Sequence, residues 1–455
     1  MAQASSAGHF SSRIGFVFAA AGSAVGVGSI WGFPTQIANN GGGAFLLVYL
    51  LLMCLLGMPM LMAELMIGRH GQSNPADTMA GLGSSAGSRK LGWLIGAVSI
   101  ATAGLILTFY TLLSGWFVSF SLASAIQLLP GIAADNGLVS WLTDFSLSRN
   151  LVFTALFCVL TFAVIRQGVQ QGIEKWSKRL MPLLVVMLLG GVAYVMTLPA
   201  ASEGLRWLFV PDFSQINGQV LISALGQTFF SLSVGTGAMM VYASYLGKEQ
   251  HIGKLTVMVT GMATVIAVLA AAMIVPAISV AQHQGVEVFD ASGALKNSDT
   301  LVFDVLPSLF ASLGPVVGAL FGAAFFGLMI IAGLTSAISI AEVPVNYVVQ
   351  KWHWSRDRAV VQIGGALTAG ALMLAVAFEF LFSPMVVLTT QIAQPLVALG
   401  IAVYLGWIWR RKALVEDILA QQGVTEYSTG WKLWIAYVQF VCPLLIIAIG
   451  LYQFA

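Results

Sequence analysis

The sequence predicts an all-α polytopic membrane protein, and three observations carry that prediction. Of 455 residues, 58% are hydrophobic and only 8% are charged, against about 25% charged in a soluble globular chain. The apolar residues gather in eleven runs, each near the ~20 residues that cross the hydrocarbon of a bilayer. Lys and Arg are confined almost wholly to alternate connections, the asymmetry that the positive-inside rule assigns to the cytoplasmic face. A formal net charge of +2 gives no bias towards nucleic acid, so the lipid bilayer is the large partner the composition demands. Nothing in the chain signals an oligomeric state.

The spans lie near 14–37, 44–68, 91–128, 151–166, 178–198, 219–246, 255–283, 313–348, 358–378, 381–409 and 432–452. Met1 to Ser12 reads as a polar tail rather than a signal peptide, because the run after it is too long and glycine-rich for one. The third and eighth spans are long and are expected to tilt or project. The fourth is short. A loop helix is expected near Ser308 to Leu313. With the amino terminus cytoplasmic, only Arg149, Arg206 and Lys296 among the 20 Lys and Arg residues fall in outer loops, and an odd span count puts Ala455 outside. That arrangement suits a cell (inner) membrane. Cys54, Cys158 and Cys442 sit in apolar runs with no metal-ligand spacing.

Span one holds Gly22-Ser-Ala-Val-Gly-Val-Gly-Ser-Ile-Trp-Gly-Phe-Pro34, and span six holds Ser233-Val-Gly-Thr-Gly237. Glycine costs a helix close to 1 kcal/mol relative to alanine. Broken backbone at membrane depth is tolerated only where protein or a water-filled cavity satisfies it. Two such interruptions five spans apart predict inverted repeats, 14–198 and 219–409, within one domain spanning 1–455, with 432–452 a peripheral eleventh helix. Interrupted helices in matching halves point to the binding site of a secondary transporter.

At a break, free N–H groups attract an anion and free carbonyls a cation. Gly26, Val27 and Gly28 are placed to offer amides to a carboxylate, and Gly22 and Val25 to offer carbonyls to a small cation. The competing reading is a helix-packing face. It is favoured for either stretch alone, and the match between the two stretches outweighs it. In span eight, the Ala332 carbonyl, Thr335 and Ser336 lie within one turn and supply the clustered oxygens a hard cation wants. Tyr110, Phe230 and Ile106 read equally as core. Of the two intramembrane acids, Glu64 near Arg69 reads as structural and Glu342 as lining an inner exit path. No constellation of an enzyme is present.

These stretches, with NNGGGAF (39–45), GMPMLMAELMIGR (57–69), QGIEKWSKRLMP (171–182), GQTFFSLSVGTGAMMVYASY (226–245) and AGLTSAISIAEVP (332–344), resemble the neurotransmitter:sodium symporters in their bacterial amino-acid branch, with the leucine-transporter fold. The resemblance implies a sodium-coupled symporter of a small zwitterion, an amino acid. It implies a sodium site, the family's second, made by the carbonyls of Gly22, Val25 and Ala332 with the hydroxyls of Thr335 and Ser336. The substrate pocket it implies is lined by Ser23, Ala24, Gly26, Val27, Gly28, Ile106, Tyr110, Phe230, Ser231, Ser233, Thr236, Ser336 and Ile340, with Tyr110 and Phe230 as its lid. Gly172 to Pro182 looks like the motif that lets span five unwind.

Three departures qualify these expectations. The family's first sodium site, here Ala24, Ser29 and Ser231, has lost two side-chain ligands to shorter hydroxyls and an asparagine to Met262, a soft thioether. Thr264 is the nearby substitute. One sodium is therefore expected. The outer gate's arginine is Gly32 here, and no acid stands between Pro384 and Gln394 to pair with one. Ile266 stands where chloride-dependent members have serine, so chloride is not expected, although Tyr49 and Gln227 match that neighbourhood. The absent charged gate also motivates an alternative from another class, a receptor that binds the amino acid without transporting it.

Overall fold

The computed structural model describes residues 9–129, 136–247, 250–283, 314–409 and 429–452, with isolated positions between 285 and 311. Among them the backbone is helical nearly throughout, and a single-residue β-bridge joins Gly42 to Pro211. Nine described helices are long and apolar enough to cross a membrane: Gly43–Gly71, Ala86–Ile126, Leu147–Arg166, Val169–Val195, Ile252–His283, Pro315–Lys351, Arg356–Val376, Phe378–Ile408 and Thr429–Leu451. Their outward faces carry exposed apolar side chains such as Val186, Phe380 and Leu444, the surface a hydrocarbon solvent requires. The protein is a multi-pass membrane protein.

Span one is broken. Arg13–Ala24 and Gly28–Asn39 meet at a bend of 54°. Span six is interrupted more widely, as Gly218–Ser231 and then Ala238–Ser244, and neither half is long enough to cross alone. The expected eleven crossings are reached only when these two halves are counted as one. Span eleven is loosely enclosed. In its most apolar window 28% of residues are buried, against 72% for span seven.

Several sequence-based expectations change. Span five begins at Val169, nine residues before the expected 178, because its first turns are polar yet helical and carry Glu174, Lys175 and Lys178. Arg149, counted as an outer loop charge, is fully buried in the first turn of Leu147–Arg166. Its guanidinium lies over the rings of Phe145, Phe120 and Trp116 at 4.7, 5.3 and 5.9 Å, and its Nε donates to Ser119 Oγ and the Leu142 carbonyl, each at 3.0 Å. Cation–π attraction and these hydrogen bonds offset its desolvation. The loop helix expected near Ser308 to Leu313 falls largely outside the described residues, as do Lys248, Lys296 and Arg410 to Lys412.

The half-helix Arg13–Ala24 packs against spans five, seven and eight, and Ala238–Ser244 packs against Met58–Gly71 and span eight. The two breaks are thereby enclosed by neighbours that satisfy their freed backbone groups.

Candidate functional site

The break in span one starts at Val25, whose φ of −101° and ψ of 77° leave the helix while its N–H still bonds to the Ala21 carbonyl. The chain re-enters a helix through the wide turn Gly28–Gly32, a π-type turn of the kind found at functional sites. Here two glycines are sterically required. A Cβ on Gly26 would overlap the Tyr110 hydroxyl and Ser336 Oγ, and one on Gly28 would enter the Phe230 ring. The Val27 N–H, buried at the break, donates to Tyr110 Oη at 2.8 Å.

Span six needs glycine for a different reason. Gly235 and Gly237 have φ of 85° and 76°, a region open mainly to glycine. Ser233 adopts φ 53° as well, a strained conformation that surrounding contacts must hold. Two of those contacts are visible. Glu64 Oε1 accepts from the Gly235 N–H at 2.6 Å across 171 residues, so Glu64 is structural, as expected, but through span six. Arg69, expected beside it, donates to the Gln250 carbonyl. Ser233 Oγ donates to the Ser23 carbonyl at 3.1 Å and accepts from Ser23 Oγ at 3.1 Å.

Ser23 is the hub of a serine cluster that joins spans one, six and eight. Ser336 Oγ donates to the carbonyls of Gly22 and Ser23 at 2.9 and 3.0 Å, and Ser339 Oγ donates to Ser23 Oγ at 2.6 Å. Thr335 Oγ1 donates to the Ala332 carbonyl at 3.1 Å, and its Cβ lies 3.1 Å from where a Gly22 Cβ would stand. Gly22, Ala332, Thr335 and Ser336 thus bring neutral oxygens to one place, with Val25 at the end of the same half-helix. This donor set suits a hard cation. Ser339 was not singled out from the sequence, although it stands three residues beyond Ser336 on the same face.

The region of the expected first sodium site is arranged differently. Ser29 Oγ donates to the Ala24 carbonyl at 2.9 Å. The Gln227 amide donates to Ser231 Oγ at 3.0 Å and to the Gly28 carbonyl at 2.9 Å. Of the residues expected at this site, Ser231 Oγ is thus engaged by a side-chain amide from its own helix. Met262 and Thr264 lie on half-buried positions of span seven, and Ile266 is buried.

Between the breaks is a small cavity of about 10 Å³, measured as space for the centre of a water molecule. Its walls include Ser23, Ala24, Gly26, Gly28, Ser29 and Ile106, with Tyr110, Phe230, Ser233, Thr236, Ser336 and Ile340 opposite, and Gln394 from span ten. Val27 faces instead a larger cavity of about 190 Å³, which also reaches Trp31, Gly32, Gln227 and Thr390. Gly28, Tyr110 and Phe230 line both cavities and form the partition between them.

The other end, towards the amino terminus, is sealed by charge. Glu342 accepts from Arg356 Nη2 and Nη1 at 2.6 and 3.1 Å and from the Tyr245 hydroxyl at 2.7 Å. Asn346 Nδ2 donates to the same hydroxyl at 2.6 Å. Glu342, expected from the sequence to line an inner exit path, is fully buried and bidentately paired, because a helix-start arginine folds back across 14 residues. A second knot ties the amino-terminal segment to span five. Glu174 accepts from Ser11 N–H, Ser11 Oγ and Ser12 Oγ at 2.7, 2.7 and 3.0 Å, and pairs with Lys178 at 2.6 Å.

Comparisons with known proteins agree with this geometry. The model of the sodium:neurotransmitter symporter family matches residues 7–144 and 144–455. A protein of Haemophilus influenzae described as an uncharacterized sodium-dependent transporter is 33% identical over 462 residues, covering 97% of this chain and 96% of that protein. A Bacillus subtilis protein of the same description is 31% identical over 453 residues, covering 97% and 96%. The crystal structure of MhsT in complex with L-phenylalanine is similar with a TM-score of 0.83 and 34% identity, over 98% of this chain and 99% of that one.

Proposed function

We propose a transport cycle for this chain, which belongs to the sodium:neurotransmitter symporter family. The protein is a sodium-coupled symporter and not an enzyme. The substrate we assign is a small zwitterionic amino acid, bound where the two broken helices face one another. That meeting of four helix ends at one small cavity is the observation that carries the reading. The substrate carboxylate takes the amides at the start of Gly28–Gly32 together with the Tyr110 hydroxyl, because a helix N-terminus offers unpaired N–H groups and a favourable dipole. Its ammonium turns towards the carbonyl ends of the half-helices that finish at Ala24 and Ser231. With Gly26 offering no carboxylate, the substrate must bring its own. The relative solved with L-phenylalanine bound supports an amino acid as the class.

Coupling follows from shared elements. Sodium is held by Gly22, Val25, Ala332, Thr335 and Ser336, and Ser336 also borders the substrate cavity, so filling one site organises the other. We assign one sodium per cycle, since the Gln227 amide engages Ser231 Oγ of the first site and Met262 brings it only a soft thioether. We also assign no chloride requirement, since Ile266 brings no donor to an anion. Spans one to five and six to ten form inverted repeats, span eleven is peripheral, the amino terminus is cytoplasmic and the carboxyl terminus outside, in the cell (inner) membrane. In this orientation the larger cavity opens outwards beyond the Tyr110–Phe230 partition, while Glu342–Arg356 closes the cytoplasmic end. The receptor alternative finds no support: the relatives described above are named transporters.

Uptake of a labelled amino-acid panel into proteoliposomes, with and without an inward sodium gradient, tests the reading. Accumulation that requires sodium, has a sodium Hill coefficient near one and is indifferent to chloride replacement is the expected result. Uptake unaffected by sodium overturns the coupling.

A further inference from the structure

Gln394 belongs to the uncharged stretch of span ten and lines the small cavity beside Ser29, Thr236 and Ile340. Its side chain is fully buried. Nε2 donates to the Val234 carbonyl at 3.2 Å, and since a carbonyl can only accept, the NH2 and not the oxygen of the amide must face it. The other atom, Oε1, is buried with no hydrogen-bond partner. Buried acceptors are nearly always satisfied, and an exception calls for a cause.

The nearby hydroxyls do not supply one. Thr236 Oγ1 donates to the Ser233 carbonyl at 2.7 Å, and Ser29 Oγ to the Ala24 carbonyl at 2.9 Å. Span ten already lies close against this turn, since a Cβ on Gly235 would stand 2.6 Å from the Gln394 carbonyl oxygen. A donor carried by the occupant of the cavity would complete the bonding of Oε1.

We propose that Gln394 Oε1 accepts a hydrogen bond from a hydroxyl on the substrate side chain, and that the transporter selects short hydroxylated amino acids, threonine and serine, over aliphatic isosteres. The inference rests on the amino-acid reading above. Shortness follows from the tight cavity and from Ile106 and Ile340 in its wall. Selectivity follows because an isostere lacking the hydroxyl leaves Oε1 buried and unpaired, the situation in which hydrogen-bonding sites discriminate most strongly.

Threonine and valine have the same shape and differ in the one donor, so they are the decisive pair. Sodium-dependent binding of each, measured by displacement of a labelled amino acid from the purified full-length transporter, should favour threonine at least tenfold. In Gln394→Met the ratio should fall towards one, with valine affinity kept. If the variant fails to fold, the wild-type ratio alone decides. Equal affinities in the wild type overturn the proposal, since they show that the orphaned oxygen is satisfied by water. Binding of leucine or phenylalanine with neither threonine nor valine also overturns it while leaving the amino-acid reading intact. No sodium-dependent binding of any amino acid overturns the amino-acid reading itself.

Discussion

The two ends of the cavity are closed by opposite chemistry. Towards the larger cavity the partition is two rings and a glycine, Tyr110, Phe230 and Gly28, with no charge on Gly32 or along Pro384 to Gln394. Towards the amino terminus the seal is the Glu342–Arg356 pair and the Glu174 knot. A ring can swing aside at the cost of local contacts. A buried ion pair cannot part without exposing each charge to a medium that solvates it poorly, and loss of one partner is destabilising by about 3–5 kcal/mol. The contrast teaches that opening is asymmetric. The outer partition yields readily, and the inner seal must be offset by binding energy or by hydration of the separated charges. Loss of the outer charge pair implied by the family resemblance is physically coherent, since both partners are gone together.

The largest expected effect comes from breaking the charged seal. Glu342→Ala leaves Arg356 without its carboxylate and should shift the protein strongly towards an inward-open state. Arg356 is partly exposed, so we expect about 2 kcal/mol, below the range for a fully buried pair. A cysteine introduced beneath the seal should then label roughly 30-fold faster, and unchanged labelling would remove Glu342 from the gate. At the partition, Tyr110→Phe removes the acceptor of the Val27 N–H. Substrate affinity should fall by about 1.5–3 kcal/mol, the worth of the hydrogen bond its hydroxyl gives the substrate carboxylate, while sodium affinity is little changed in isothermal titration. Equal losses of both would mean that Tyr110 supports the fold rather than the substrate.

Between the two closures, Thr335→Ala takes one of the five oxygens from the proposed sodium site. Apparent sodium affinity in uptake assays should weaken by roughly tenfold, the worth of about one hydrogen bond to a charged group. No change would displace sodium from this place. The smallest effect should follow Lys178→Ala. Its ion pair with Glu174 is half exposed on the lysine side, and such pairs contribute about 0–1 kcal/mol. A shift of only a degree or two in thermal unfolding is expected, since Ser11 and Ser12 still hold Glu174.

Much of this arrangement is legible in the sequence. The breaks announce themselves because glycines inside an apolar run have no helical explanation, and the structure places both at those glycines. The hydroxyl pair Thr335–Ser336 is legible because it is adjacent. Long-range partnerships are not. Nothing local ties Glu64 to the Gly235 amide, or Glu174 to Ser11, because each pair is joined only by packing. Arg149 reads as a loop charge because apolar periodicity cannot show that three rings converge on it. The polar start of span five reads as a loop for the same reason that amphipathic helix ends often do. Gln394 carries a usable signal, since it and Gln391 are the two amides within the apolar run of span ten, but nothing local tells which of them reaches the cavity.

The central claim is that two helices interrupted at mid-depth hold amino acid and sodium together. An experimental map of the transporter in sodium with its amino acid bound tests it most directly. The account predicts the substrate carboxylate within hydrogen-bond distance of the Tyr110 hydroxyl and the amides after Gly26, and one sodium between Gly22, Val25, Ala332, Thr335 and Ser336. Continuous helices through spans one and six, or an amino acid bound away from both breaks, would contradict it.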